Sequence, residues 1–226
     1  MISEISRTPL SWAATLLLVL GMTVACDTSP ADVPGGSIPV AASSVDTRIT
    51  LDNLQTAFDS ESNTAAKYLA FAVEADKSGF PKAARLFRAA AKAEEVHARN
   101  HSEVIRSMGA EPTSVVKKPE VGTTAANLWK AIQDESYERD NMYPPLIRQA
   151  RDAGNAAAVR TFTFARSAET GHALLYSGAL ETLKDRRSAT TQYYVCPGCG
   201  FTRTQLAGMS NCPACKTAME EFVEVK

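Results

Sequence analysis

The sequence predicts a mainly α protein, a four-helix bundle followed by a small C-terminal β/knuckle domain. Three features carry this expectation. Apolar residues recur at three- and four-residue intervals from Thr50 to about Lys184, the period of helices that bury one face. Two Glu-x-x-His units, Glu94/His97 and Glu169/His172, fall one in each half of that stretch. Two Cys-Pro-x-Cys units, Cys196/Cys199 and Cys212/Cys215, close the chain.

Residues 1–25 read as a leader. Trp12–Ala25 is apolar or neutral over 14 residues, short for a bilayer span and suited to a signal core. It ends in TVAC, similar to the lipobox in which the cysteine, here Cys26, is lipidated and becomes the mature N-terminus. Thr23 stands where leucine is commonest, and Arg7 is offset by Glu4; a plain cleaved signal or an uncleaved anchor are the other readings. The expectation is export to the periplasmic face, anchored through a lipid on Cys26. Residues 26–48 are rich in Pro, Gly, Ser and small side chains, which makes a flexible tether.

Residues 49–186 hold the bundle. Thr50 is placed as the N-cap of the first helix, with Leu54, Phe58, Ala65 and Leu69 on its apolar stripe. In SGFP, Gly79 suits the end of that helix and Pro81 the first turn of the next. The second helix runs to Gly109, and EPTSVVKKPEVGTT has the length of a crossover. A third helix starts near Ala125 and ends at DAGN; the fourth continues to about Lys184. Pro144–Pro145 predict a kink or loosening just after Tyr143. Two tight hairpins joined by one long crossover are the plan of a ferritin-like bundle.

The acids of the four helices share a pattern. Glu61 lies on the first, Glu94 and His97 on the second, Glu135 and Glu138 on the third, Glu169 and His172 on the fourth. A three-residue step keeps each pair on one helical face. The midpoint of Glu61 and Glu94 falls against the SGFP turn, and that of Glu135 and Glu169 in DAGN, so each pair is level across its hairpin. The intervals, 33 and 34 residues, are nearly equal. Five carboxylates converging at mid-bundle need cations or protons. Two like charges about 4 Å apart repel by roughly 4 kcal/mol at an effective dielectric near 20. An oxygen-rich set with two histidines suits iron or manganese better than zinc alone. By contrast, Glu95 and His101 are placed on the surface, Trp129 and Phe162 in the core, and Tyr68 and Tyr143 are plain core aromatics on sequence alone.

Residues 191–226 form the knuckle domain. Twelve residues separate the two Cys-Pro-x-Cys units, and each directs two thiolates at one tetrahedral metal, iron or zinc. With 24 basic and 25 acidic residues and no basic tract, nothing points to a nucleic-acid partner.

The full set, together with the strings FDSES, RDNMYP and RLFRAAA, resembles the rubrerythrins from Thr50 to the C-terminus. That resemblance implies a di-iron centre bridged by Glu94 and Glu169. Glu61 is then terminal on the first iron, and Glu135 and His172 hold the second. The first iron shuttles between His97 and Glu138 with redox state, while Tyr68 and Tyr143 hydrogen-bond near the site. It further implies a rubredoxin-like iron at Cys196, Cys199, Cys212 and Cys215, with zinc as the other occupant of four thiolates. The implied activity is reduction of hydrogen peroxide to water with electrons from a redox protein, in a head-to-tail homodimer that brings one chain's knuckle to the other's bundle. A ferroxidase or iron scavenger is the alternative; a zinc-filled sensor or structural module is a third.

Overall fold

The computed structural model describes residues 44–184 and 191–226. Its helices are α1 (Ser44–Lys77), α2 (Pro81–Ser107), α3 (Thr124–Tyr137), α4 (Tyr143–Asp152) and α5 (Ala156–Glu181), with a π-helical turn, Glu138–Met142, between α3 and α4. Counting α3, the π turn and α4 as one rod, these make the expected four-helix bundle. The knuckle domain holds β1 (Tyr193–Val195), β2 (Thr202–Arg203) and β3 (Val223–Val225), an antiparallel sheet of order β2-β1-β3.

Local chemistry explains the joints. Gly79 turns the chain at a φ of +76°, which a side chain would disfavour, and Pro81 opens α2 where no N–H is needed. Thr123 and Asn155 cap α3 and α5, accepting from the N–H groups of Ala126 and Ala158. Thr50 is not a cap. Helix α1 begins at Ser44, and buried Thr50 donates to the Asp46 carbonyl one turn back. The last tether residues are thus helical.

The loosening lies in the five residues before Tyr143, not after it. Prolines 144 and 145 cannot donate to the carbonyls four residues upstream, so the disruption falls N-terminal to them. The Tyr143 N–H reaches back to Glu138 instead, a five-residue step.

Two apolar clusters enclose the middle of the bundle. One gathers Tyr68, Phe71, Leu86, Phe87, Leu128 and Tyr176; the other Leu54, Ile105, Tyr143, Ile147 and Phe162. Trp129, expected in the core, is 58% exposed. Leu128, Ala131 and Glu135 form the buried stripe of α3, and position 129 lies off it.

One further expectation is corrected, that of a lipoprotein of the periplasm. No helix of the described residues is long and apolar enough to cross a membrane. The leader, Cys26 and most of the tether lie in residues 1–43, outside the described residues. The assignment is therefore withdrawn.

Candidate metal centres

All seven bundle residues singled out by pattern are buried: Glu61, Glu94, His97, Glu135, Glu138, Glu169 and His172. They form two overlapping groups. Glu61, Glu94, His97 and Glu169 present ligand atoms within 4.8 Å of one another, and so do Glu94, Glu135, Glu169 and His172. Glu94 and Glu169 belong to both, the position of bridging carboxylates.

The imidazoles are oriented for metal binding. His97 Nδ1 lies 2.8 Å from Glu94 and 3.1 Å from Glu169; His172 Nδ1 lies 2.8 Å from Glu169 and 3.4 Å from Glu135. Their outer nitrogens face the knuckle domain. His97 Nε2 is 3.1 Å from the Cys199 carbonyl, which can only accept, so Nε2 carries the proton. His172 Nε2 is 3.0 Å from Thr202 Oγ1, whose own proton goes to the Gly200 carbonyl. With a cation bound, each ring would keep its Nε2 proton and turn a bare Nδ1 toward the acids.

The donor set fits two cations. Each of the five glutamates keeps one buried oxygen without a hydrogen-bond partner, which is costly unless a metal takes it. Burial, then the neighbouring carboxylates, push Glu61 and Glu138 well above the usual carboxyl range. Burial pushes His97 down, but Glu169 and Glu94 outweigh it and hold the ring at about 10. Burial likewise opposes, and Glu135 and Glu169 reverse, the shift of His172, which lies well above the usual range. In metal-free protein, protons stand where cations belong.

Two tyrosines sit against the acids rather than merely filling the core. The Tyr68 hydroxyl donates to Glu135 Oε1 at 2.7 Å, and the Tyr143 hydroxyl donates to Glu61 Oε1. Glu138 belongs to neither four-ligand group; its Oε1 accepts from Ser60 at 3.4 Å and its Oε2 has no partner.

The four knuckle thiols make a second site. Their sulfurs lie within 4.8 Å of one another; Cys196 and Cys215 are 3.4 Å apart, Cys199 and Cys212 3.5 Å. These separations exceed a disulfide's and approach the edge, about 3.8 Å, of a tetrahedron with 2.3 Å metal–sulfur bonds. The Cys196 thiol, held by its hydrogen bond to Cys199, falls to about 5, which favours a thiolate ligand.

Helix α2 joins the two sites. His97, Arg99 and Asn100 hydrogen-bond the carbonyls of Cys199, Pro197 and Gly198 in turn. A Cβ on Gly200 would collide with His97 Nε2, so only glycine lets the knuckle approach this closely.

His101 was missed. It is fully buried, between Tyr143 and Thr161. The signal was present: Glu94, His97 and His101 lie at i, i+3 and i+7, a single helical stripe.

Fold and sites together define a ferritin-like di-iron carboxylate protein with an appended tetrathiolate iron domain. The rubrerythrin family model matches residues 52–180, and the chain belongs to the rubrerythrin family. It is 36% identical to rubrerythrin-2 of Clostridium acetobutylicum over 79% of this chain and 98% of that one. It is 35% identical to nigerythrin of Nitratidesulfovibrio vulgaris over 76% and 85%. The structure of fully reduced, all-ferrous nigerythrin superposes with a TM-score of 0.72 at 32% identity, covering 85% and 91% of the two chains. A bacterioferritin of Desulfovibrio desulfuricans, 20% identical with a TM-score of 0.57 over 62% and 83%, shares the fold alone. Family membership makes this a di-iron oxidoreductase of oxidative-stress defence, with iron in the bundle and a rubredoxin-type iron in the knuckle.

Proposed function

We propose that the chain is a di-iron peroxidase that reduces hydrogen peroxide to two waters, with electrons relayed one at a time from the tetrathiolate iron. The observation that carries this reading is the 3.1 Å contact of His97 Nε2 with the Cys199 carbonyl. Through it, a residue bearing a thiolate of one site touches an imidazole of the other. When bound, the iron pair supplies two electrons and Lewis acidity.

The chain's own residues do the rest. Glu94 and Glu169 would be shared between the two cations, Glu61 and His97 would hold one iron, and Glu135 and His172 would hold the other. Tyr143 and Tyr68 orient Glu61 and Glu135 through their hydroxyls. Glu138 stands close enough to Glu61, Glu94, Glu135 and Glu169 to feel their charge, and could join either group or hold a proton. The knuckle and the aromatic clusters cover the site and exclude bulk water.

The electron donor is proposed to be a redox protein that docks on the knuckle. A head-to-tail homodimer belongs to the same proposal, and the exposed apolar side chains of Leu69, Val73 and Leu174 support pairing. Because the knuckle here touches its own chain's bundle, pairing is not required to bring the metal sites together.

Anaerobically prepared protein should carry two irons in the bundle and one in the knuckle. Its reduced form should be reoxidised by about one peroxide per iron pair and should turn over repeatedly with an artificial donor. A single oxidation without turnover would favour the ferroxidase alternative, and zinc in the bundle would end the enzyme reading.

A further inference from the structure

A file of buried polar side chains runs through the apolar half of the bundle behind Glu61. Thr161 Oγ1 lies 2.9 Å from His101 Nδ1, His101 Nε2 lies 3.2 Å from the Tyr143 hydroxyl, and that hydroxyl donates to Glu61 Oε1. His101 and Tyr143 are wholly buried, packed on Phe162. At the outer end, Thr161 lines a surface cavity of about 390 Å³ together with Asn100, Ser107 and Arg160. A polar ring among aromatics is costly where a phenylalanine would fill the same space.

The positions of the protons follow from valence. Tyr143 has one hydroxyl proton, and it goes to Glu61. The phenol oxygen therefore accepts from His101 Nε2–H. A neutral imidazole then has a bare Nδ1, which accepts the Thr161 proton. Burial, then the charge of His97, lower His101 to about 3, so the resting ring is neutral. All three bonds point the same way, from the cavity toward the metal site.

We propose that Thr161, His101 and Tyr143 form a proton relay from this cavity to Glu61. The proposal rests on the peroxidase reading. Two-electron cleavage of the O–O bond of hydrogen peroxide needs two protons to release two waters. The iron pair supplies the electrons and the relay supplies the protons. In each passage, a solvent hydronium reaching the open cavity protonates Thr161, leaving water there, as Thr161 gives its own proton to His101 Nδ1. His101 Nε2–H passes to Tyr143, and the Tyr143 proton passes to Glu61 and on to the departing oxygen. Hydroxyl rotation and return of the imidazole tautomer reset the file, and no member changes net charge between turnovers.

The test uses the full iron-loaded chain and the variants Thr161→Val, Thr161→Ser and His101→Phe. Thr161→Val and His101→Phe are expected to keep the iron content and visible spectrum, yet to be reoxidised by peroxide at least about tenfold more slowly, with a changed solvent deuterium effect. Thr161→Ser, which keeps the hydroxyl, restores the rate. Independently of activity, ¹⁵N NMR of the metal-free chain should show His101 as the Nε2–H tautomer. A Thr161→Val protein with normal iron and normal rate, or an Nδ1–H tautomer, would overturn the relay. If His101→Phe fails to fold, the Thr161→Val and Thr161→Ser pair decides. If wild-type protein shows no peroxide turnover, the peroxidase reading fails, and the tautomer alone decides whether the relay stands.

Discussion

Gly200 couples the two metal sites because it has no side chain. Alanine there would meet His97 Nε2 and, at 3.1 Å, the Ala93 carbonyl, so the knuckle must shift outward. Gly200→Ala is expected to leave both metals bound but to break the contact between His97 and Cys199. Under the proposed relay, electron transfer from the tetrathiolate iron should then slow by on the order of 10- to 100-fold, since small misplacements at such contacts are that costly. Stopped-flow absorbance of the knuckle iron reports it, and an unchanged rate would refute the coupling. At this scale the sequence was legible where ligands repeat at fixed spacing, as in Glu94-x-x-His97 and Glu169-x-x-His172. It was not legible where partners are distant. Thr161 and Tyr143, which hold His101 inside, lie 60 and 42 residues from it.

Helix ends and one irregular turn set the height at which the acids meet. The Asn155 side chain caps α5 and so helps fix where Glu169 and His172 stand on it. Asn155→Ala should cost about 1 kcal/mol, a fall in Tm of roughly 2–4 °C for a chain this size, with iron content unchanged. Thermal melts of loaded protein measure this; a loss of iron instead would mean that the cap positions the ligands directly. The π turn does a similar task on the third rod. By letting the Tyr143 N–H reach Glu138, it interrupts the α-helical register between Glu138 and Tyr143, both of which are buried at the site. Proline placement announced an irregularity. Its side of Tyr143 was set by which carbonyls the prolines leave without donors, and Thr50 likewise reads as a cap until the turn of helix before it is seen.

For the whole molecule, the dominant fact is the charge gathered inside the bundle. In metal-free protein, Glu61 and Glu138 are held well above their ordinary value of 4.5, so the fold is favoured below that pH and penalised as pH rises past it. His97, raised from 6.5 to about 10, contributes stability that is fully present below 6.5 and lost as pH rises through 10. Both effects have the same sign. Chelated protein should therefore melt at progressively lower temperature from about pH 5 to about pH 10, while iron-loaded protein, whose cations replace those protons, should be higher melting and flatter at neutral pH. Circular dichroism melts of both forms across that range test this. Equal, pH-independent melting would show that the acids do not share a buried pocket.

By itself the sequence determined the helical period, the hairpin symmetry that levels the acids, and the paired knuckles. Each of these is a repeat along the chain, and repeats are visible in one dimension. Only the tertiary structure decided that the knuckle rests on its own bundle, which distant partners His101 meets and that Trp129 turns outward. Those outcomes depend on which faces meet across the bundle, and packing between segments far apart in sequence leaves no periodic trace.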